Sequence, residues 1–169
     1  MSVPHWRPAY IGIGSNLDSP SEQVERGIAA LANIAKSLLV LQSGQYRSAP
    51  MGPAGQPDFA NAVAAILTQL GPHELLGEMQ SIELAHGRKR DGDRWGPRTL
   101  DLDLLSFSNQ AFSDESLTLP HPGIARRNFV LLPWRQIAPH VRVPGLASVA
   151  ELARTVSLRE PEIERMSTS

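Results

Sequence analysis

The run from Arg88 to Phe107 constrains this chain more than any other stretch: Arg-Lys-Arg-Asp-Gly-Asp-Arg-Trp-Gly-Pro-Arg-Thr-Leu-Asp-Leu-Asp-Leu-Leu-Ser-Phe. Its second half alternates as a β-strand does, so Asp101 and Asp103 project from one face while Leu100, Leu102 and Leu104 project from the other. The aspartates then stand about 7 Å apart along a strand rising ~3.3 Å per residue, and like charges so placed repel. A cation belongs between or in front of them. The five basic residues Arg88, Lys89, Arg90, Arg94 and Arg98 are one source, and a divalent metal is the other. Mg2+ is held by one or two carboxylates plus substrate phosphates, and arginine grips phosphate oxygens in pairs. Carboxylates and arginines entering one site together point to Mg2+-polyphosphate chemistry. The plain alternative is an exposed sheet edge beside a solvated charged loop. Arg94-Trp95-Gly96-Pro97-Arg98 weighs against it, because a tryptophan held between arginines by a rigid Gly-Pro turn does little for solubility.

Composition narrows the choices further. At 169 residues the chain reads as one domain, 1–169, with flexible ends at 1–7 and 158–169. No apolar run approaches the roughly 20 residues needed to span a bilayer, and the N-terminus lacks an apolar signal core, so neither membrane insertion nor export is expected. Without cysteine there is no disulfide scaffold, thiolate metal site or cysteine nucleophile, which fits a cytoplasmic protein. The net charge of -1 argues against a protein that coats nucleic acid by counterion release. The positive charge is local, which suits a small polyanionic ligand, and a monomer is expected.

Taken in order, residues 9–14 alternate as a strand that ends at Ser15-Asn16. Ser19-Pro20-Ser21-Glu22 reads as a capping box, followed by a helix with Val24, Ile28, Leu31 and Ile34 or Ala35 on its apolar face. Gly12 and Gly14 belong to no complete phosphate-loop motif, and they read as sites of close backbone packing. A second strand is predicted from Leu38 to Arg47. It runs into the proline- and glycine-rich segment 48–57, either a connector or a flap over a ligand. In the strand Asp58–Leu67, Phe59, Asn61 and Val63 share a face. An aromatic plate beside an amide with both donor and acceptor would suit a flat heterocycle, unless Phe59 is core and Asn61 caps a backbone group.

Gly71-Pro72 opens a second helix with Leu75, Met79, Ile82 and Ala85 as its core stripe and Gly87 as its stop. Gln80 and Glu83 lie three apart near its end, where the plain reading is a solvated face. Beyond the aspartate strand come a polar connection over 109–115 and a short strand over 116–119. His121, stiff between Pro120 and Pro122, reads as a hydrogen-bond donor rather than a zinc ligand. Arg126, Arg127 and Phe129 add charge and an aromatic ring, and short helices are predicted over 129–138 and 148–157. The order β-α-β-β-α-β predicts an α+β, ferredoxin-like core: an antiparallel-rich sheet with helices packed on one face, enlarged by C-terminal elements.

Arg94 to Leu105 resembles the signature of the 6-hydroxymethyl-7,8-dihydropterin pyrophosphokinase family. Tyr10 to Leu17, Tyr46 to Asn61, Ile82-Glu83 with Gly87-Arg88, and Leu119-Pro120-His121-Pro122 followed by Arg127 and Phe129 resemble further blocks of it in the same order. The resemblance implies transfer of pyrophosphate from ATP to the hydroxymethyl group of a reduced pterin, in folate biosynthesis, giving AMP and the pterin diphosphate. It implies that Asp101 and Asp103 hold two Mg2+ ions, with Arg88 and Arg98 joining them in catalysis. ATP would meet Gln80, Glu83, Arg88, Arg90, Arg94, Arg98, Leu104, His121 and Arg127, and the pterin Ser48, Ala49, Met51, Phe59, Asn61, Trp95 and Phe129. Segments 48–57 and 87–98 would close over the substrates as lids. A non-catalytic nucleotide or RNA binder stacking bases on Trp95 is one rival reading, and a Mg2+-dependent phosphohydrolase is another.

Overall fold

The computed structural model describes residues 4–50, 52, 55–87, 99–156, 158 and 160–167. Chain order is β1 (Arg7–Ser15), α1 (Pro20–Ala32), β2 (Ser37–Gln42), β3 (Tyr46–Ser48), β4 (Phe59–Thr68), α2 (Pro72–Ala85), β5 (Asp101–Phe107), β6 (Phe112–Ser113) and β7 (Thr118–Leu119). A 3-10 turn (Ile124–Arg126), α3 (Asn128–Ile137), α4 (Val149–Thr155) and β8 (Ile163–Arg165) complete it. Six strands form one sheet in the order β5-β1-β4-β3-β8, with β2 also paired to β4, and every pairing is antiparallel. The expected α+β core of ferredoxin-like order is present.

Two cores flank this sheet. On one face Ala9, Ile11, Ile13, Ala60, Ala62, Ala64, Leu102 and Leu104 meet Val24, Ile28 and Leu31 of α1 and Leu75 and Met79 of α2. The alanines of β4 let α1 lie close. On the other face Val63 and Leu105 meet Ile124, Val130, Leu131 and Trp134. The two helices of the ferredoxin-like unit thus pack on one face, and the appended helices α3 and α4 build a second layer on the other. Alternation along β1, β4 and β5 makes this possible, because each strand carries apolar side chains on both faces at the end nearer α3.

Several local readings change as well. Ser19 does not cap α1 through its side chain, because it adopts a left-handed conformation (φ 63°). Its carbonyl instead accepts the Gln23 N–H at 3.0 Å. The predicted strand 38–47 divides into β2 and β3, interrupted where Ser43 exchanges two bonds with Val63. The Ser43 N–H donates to the Val63 carbonyl, and its Oγ accepts the Val63 N–H, both at 2.9 Å. Ala85 is exposed, and Glu83 takes its place in the buried stripe of α2. The polar connection contains a strand, β6, pairing with β7 about a turn in which Asp114 Oδ1 accepts the N–H groups of Ser116 and Leu117. The C-terminal end expected to be flexible includes β8, whose Ile163 and Arg165 pair with Ser48 and Tyr46. No helix among the described residues is long and apolar enough to cross a membrane.

Candidate active site

Register places the predicted site residues in rows. Gly14 pairs with Asp101 on one side and with Asn61 on the other, and Gly12 likewise lies between Asp103 and Val63. With neighbouring strands ~4.8 Å apart, the Asp101 and Asn61 backbones are separated by about 10 Å, with only glycine between them. A Cβ on Gly14 would lie 3.5 Å from Asn61 Oδ1 and 3.8 Å from Phe59 Cδ1, and one on Gly12 would lie 3.6 Å from Leu105 Cδ2. These are ordinary contacts, so tight backbone packing does not require the glycines. They leave instead a bare floor between the carboxylates and the Asn61-Phe59 wall.

Asp103 is partly exposed and is approached from two directions. Arg127 Nη1 donates to its Oδ2 at 3.4 Å, and His121 Nε2 lies 3.7 Å from its Oδ1. The Gly123 N–H donates to His121 Nδ1 at 3.1 Å, so that nitrogen is an acceptor and the ring proton sits on Nε2, toward Asp103. Burial first, and then the Arg127 charge, push the His121 pKa down to about 4, against a smaller opposing pull from Asp101. His121 is thus neutral at pH 7, with its ring proton on Nε2. Its own N–H is fixed to the Leu105 carbonyl at 2.9 Å.

The opposite wall is set by β3. Asn61 Nδ2 donates to the Tyr46 carbonyl at 3.0 Å and to Ser48 Oγ at 2.8 Å. A carbonyl can only accept, so the amide orientation is fixed and both amide hydrogens are engaged. This corrects the expectation that Asn61 offers a donor and an acceptor: the group turned toward Gly14 is its carbonyl oxygen. Ser48 is buried and holds Asn61 from behind, while the Ala49 N–H is bound to the Glu162 carbonyl at 2.9 Å. Phe59 is partly exposed beside this amide. Phe129 is partly buried at the start of α3, with the Arg127 guanidinium 5.8 Å from its ring centre.

On the outer edge of β5, buried Glu83 accepts the Leu102 N–H through Oε2 at 2.9 Å, so it is no solvated helix residue. Gln80 is exposed one turn earlier. Leu104, expected at ATP, has its side chain in the core on the face away from the aspartates, 3% exposed. Like those of Leu102, two residues earlier, its N–H and C=O point toward the strand's outer edge. Gly87, at the end of α2, and Thr99, before β5, come together: a Cβ on Gly87 would lie 4.0 Å from Thr99 Oγ1. Met51, Arg88, Arg90, Arg94, Trp95 and Arg98 lie outside the described residues.

Two contributors escape the sequence reading. Asn16, fully buried, donates to Gln56 Oε1 at 3.1 Å and the Pro57 carbonyl at 3.3 Å, holding the chain just before Phe59. A polar residue directly after a strand is the one local hint of it. Gly123 has no sequence signal beyond being a glycine. Among the described residues no three of His, Cys, Asp or Glu gather as a metal site. A pair of carboxylates on one face, with room beside it, suits Mg2+, which fills its remaining positions from water and phosphate, rather than zinc.

Residues 10–139 match the family model of 7,8-dihydro-6-hydroxymethylpterin-pyrophosphokinase. The chain belongs to this family. The 2-amino-4-hydroxy-6-hydroxymethyldihydropteridine pyrophosphokinase of Haemophilus influenzae is 44% identical over 146 residues, covering 86% of this chain and 91% of that one. The protein of the same name from Pseudomonas aeruginosa is 46% identical over 143 residues, 85% of this chain and 88% of that one. Among solved structures, a Plasmodium falciparum HPPK-DHPS with pterin and p-hydroxybenzoate superposes with a TM-score of 0.74 at 10% identity. It shares the fold across 97% of this chain, which spans 47% of that longer protein. The pyrophosphokinase match ends at residue 139, so α4 and β8 lie beyond it.

Proposed function

We propose that this pyrophosphokinase brings its two substrates together across the Gly12–Gly14 floor, with Asp101 and Asp103 holding two Mg2+ ions and the Asn61-Phe59 wall holding the pterin. The reaction is the family's: a pyrophosphoryl group passes from ATP to the hydroxymethyl group of 6-hydroxymethyl-7,8-dihydropterin, in folate biosynthesis. The observation that carries the arrangement is the shared pairing of Asp101 and Asn61 with Gly14.

Bound Mg2+ would neutralise the triphosphate and ease attack at the β-phosphorus. The remaining work is positioning and electrostatics, which dominate phosphoryl transfer. Asn61 Oδ1 accepts from the donor edge of the pterin, and Phe59 and Phe129 bracket its ring. The bare glycines let the hydroxymethyl group reach the phosphate beside the aspartates. Arg127 and the His121 Nε2 proton, both already beside Asp103, turn to phosphate oxygens, joined by Arg88, Arg90, Arg94 and Arg98. Glu83 fixes the outer edge of β5, where the Leu104 backbone and Gln80 frame the nucleoside. Met51, Trp95 and the Ser48-Ala49 backbone complete the pterin side.

The test is a product assay with ATP, Mg2+ and 6-hydroxymethyl-7,8-dihydropterin. AMP formed only when the pterin is present is expected. ADP with free phosphate, or no turnover, overturns the reading.

A further inference from the structure

Gly123 stands between the two groups that close on Asp103. Its φ of -93° and ψ of 0° suit any L-residue, so backbone conformation does not call for glycine. Space does: a Cβ at this position would lie 2.6 Å from Arg127 Nε, 2.9 Å from its Cζ and 3.2 Å from its Nη2. The guanidinium therefore lies against the bare Cα of Gly123, and from that seat Nη1 reaches Asp103. The Gly123 N–H at the same time sets the tautomer of His121.

We propose that Gly123 is a positioning residue for pyrophosphoryl transfer, acting through Arg127: the missing side chain is the seat of the guanidinium. This rests on the reading of Arg127 as a phosphate-binding group. A methyl group here would meet only the movable end of an arginine, so the fold tolerates it while the guanidinium is displaced by an ångström or more. A displacement of that size in a charge-stabilising group costs on the order of a hundredfold in rate. The His121 arm is unaffected, because alanine keeps the N–H.

The decisive experiment is a double-mutant cycle of Gly123→Ala and Arg127→Ala, read by kcat, KM for each substrate and thermal midpoint. The expected result for Gly123→Ala is an unchanged midpoint and KM for pterin, with kcat/KM for ATP lowered by about tenfold to a hundredfold. In the Arg127→Ala background the same change is expected to cost nothing more. Wild-type kinetics in Gly123→Ala overturn the proposal, as does an equal loss in both backgrounds. A lowered midpoint with intact kinetics assigns the glycine to packing alone and overturns it too. Wild-type kinetics in Arg127→Ala remove the reading beneath the proposal and overturn both, whereas a damaged Arg127→Ala beside a silent Gly123→Ala overturns the proposal alone.

Discussion

Asp101 and Asn61 face each other along one row of the sheet, each paired with Gly14, which contributes nothing above the backbone. The proposed metal end and the proposed pterin end of the site are thus held at a distance set by strand spacing, which loop movement cannot alter. The consequences can be measured residue by residue.

Filling the floor should block the reaction without unfolding the protein. Gly14→Val adds a side chain favoured in strands, whose Cβ has only ordinary contacts to meet. We expect a thermal midpoint close to wild type and a fall in kcat/KM for the pterin on the order of a hundredfold. Unimpaired turnover would show that the substrates do not cross this strip.

Asp101→Ala or Asp103→Ala should abolish turnover, by about a thousandfold or more, while leaving the fold intact. Either change relieves the repulsion between the two carboxylates, which offsets the loss of the partly exposed 3.4 Å pair of Asp103 with Arg127. Titrating Mg2+ against AMP formation checks the assignment, since a variant with near-normal rates at ordinary Mg2+ concentration would contradict it.

Asn61→Ala should weaken pterin binding by about tenfold to a hundredfold, the worth of one buried hydrogen bond and its pre-set geometry, and leave ATP affinity unchanged. Asn61→Asp should be worse for the fold, because it sets a carboxylate against the Tyr46 carbonyl that now accepts from Nδ2. Calorimetry with each ligand separates the two variants, and equal losses for ATP and pterin would make Asn61 purely structural.

His121 should titrate near pH 4 in the metal-free protein, with its proton on Nε2 above that. Its folded pKa lies below the ordinary 6.5, so the unfolded chain binds the extra proton first. The associated stability is complete above pH 6.5 and is lost as pH falls toward 4, by at most about 3 kcal/mol. Urea midpoints from pH 7 to 4 for the wild type and His121→Gln, together with imidazole nitrogen shifts, test this. A flat difference between the two proteins would refute it.

Much of this could be read from residues. The two-faced strand of Asp101 and Asp103, the α1 stripe of Val24, Ile28 and Leu31, and the shared face of Phe59 and Asn61 follow from periodicity, which is local. What escaped depends on partners distant in sequence. Glu83 looks solvated on a helical wheel, and the Leu102 N–H that it accepts comes from 19 residues away in sequence. The hydrogens of Asn61 are claimed by β3, whose break from β2 falls where Ser43 pairs with Val63. β8 has the polar sequence Ile-Glu-Arg and is held by backbone bonds, which leave no mark on composition. Leu104 shows a different limit, since its alternation predicts a core side chain while the family resemblance assigns it a ligand.

The meeting of Gly87 and Thr99 has one more effect. The chain between them leaves and returns at a single point two residues before Asp101, and it carries Arg88, Lys89, Arg90, Arg94 and Arg98. With both ends of the segment fixed there, the proposed encounter of these charges with a phosphate at the aspartates is intramolecular, at an effective concentration of at least on the order of millimolar. On the proposed mechanism the fold has already met the entropy of closing that ring, and a triphosphate at the site would recruit the arginines intramolecularly.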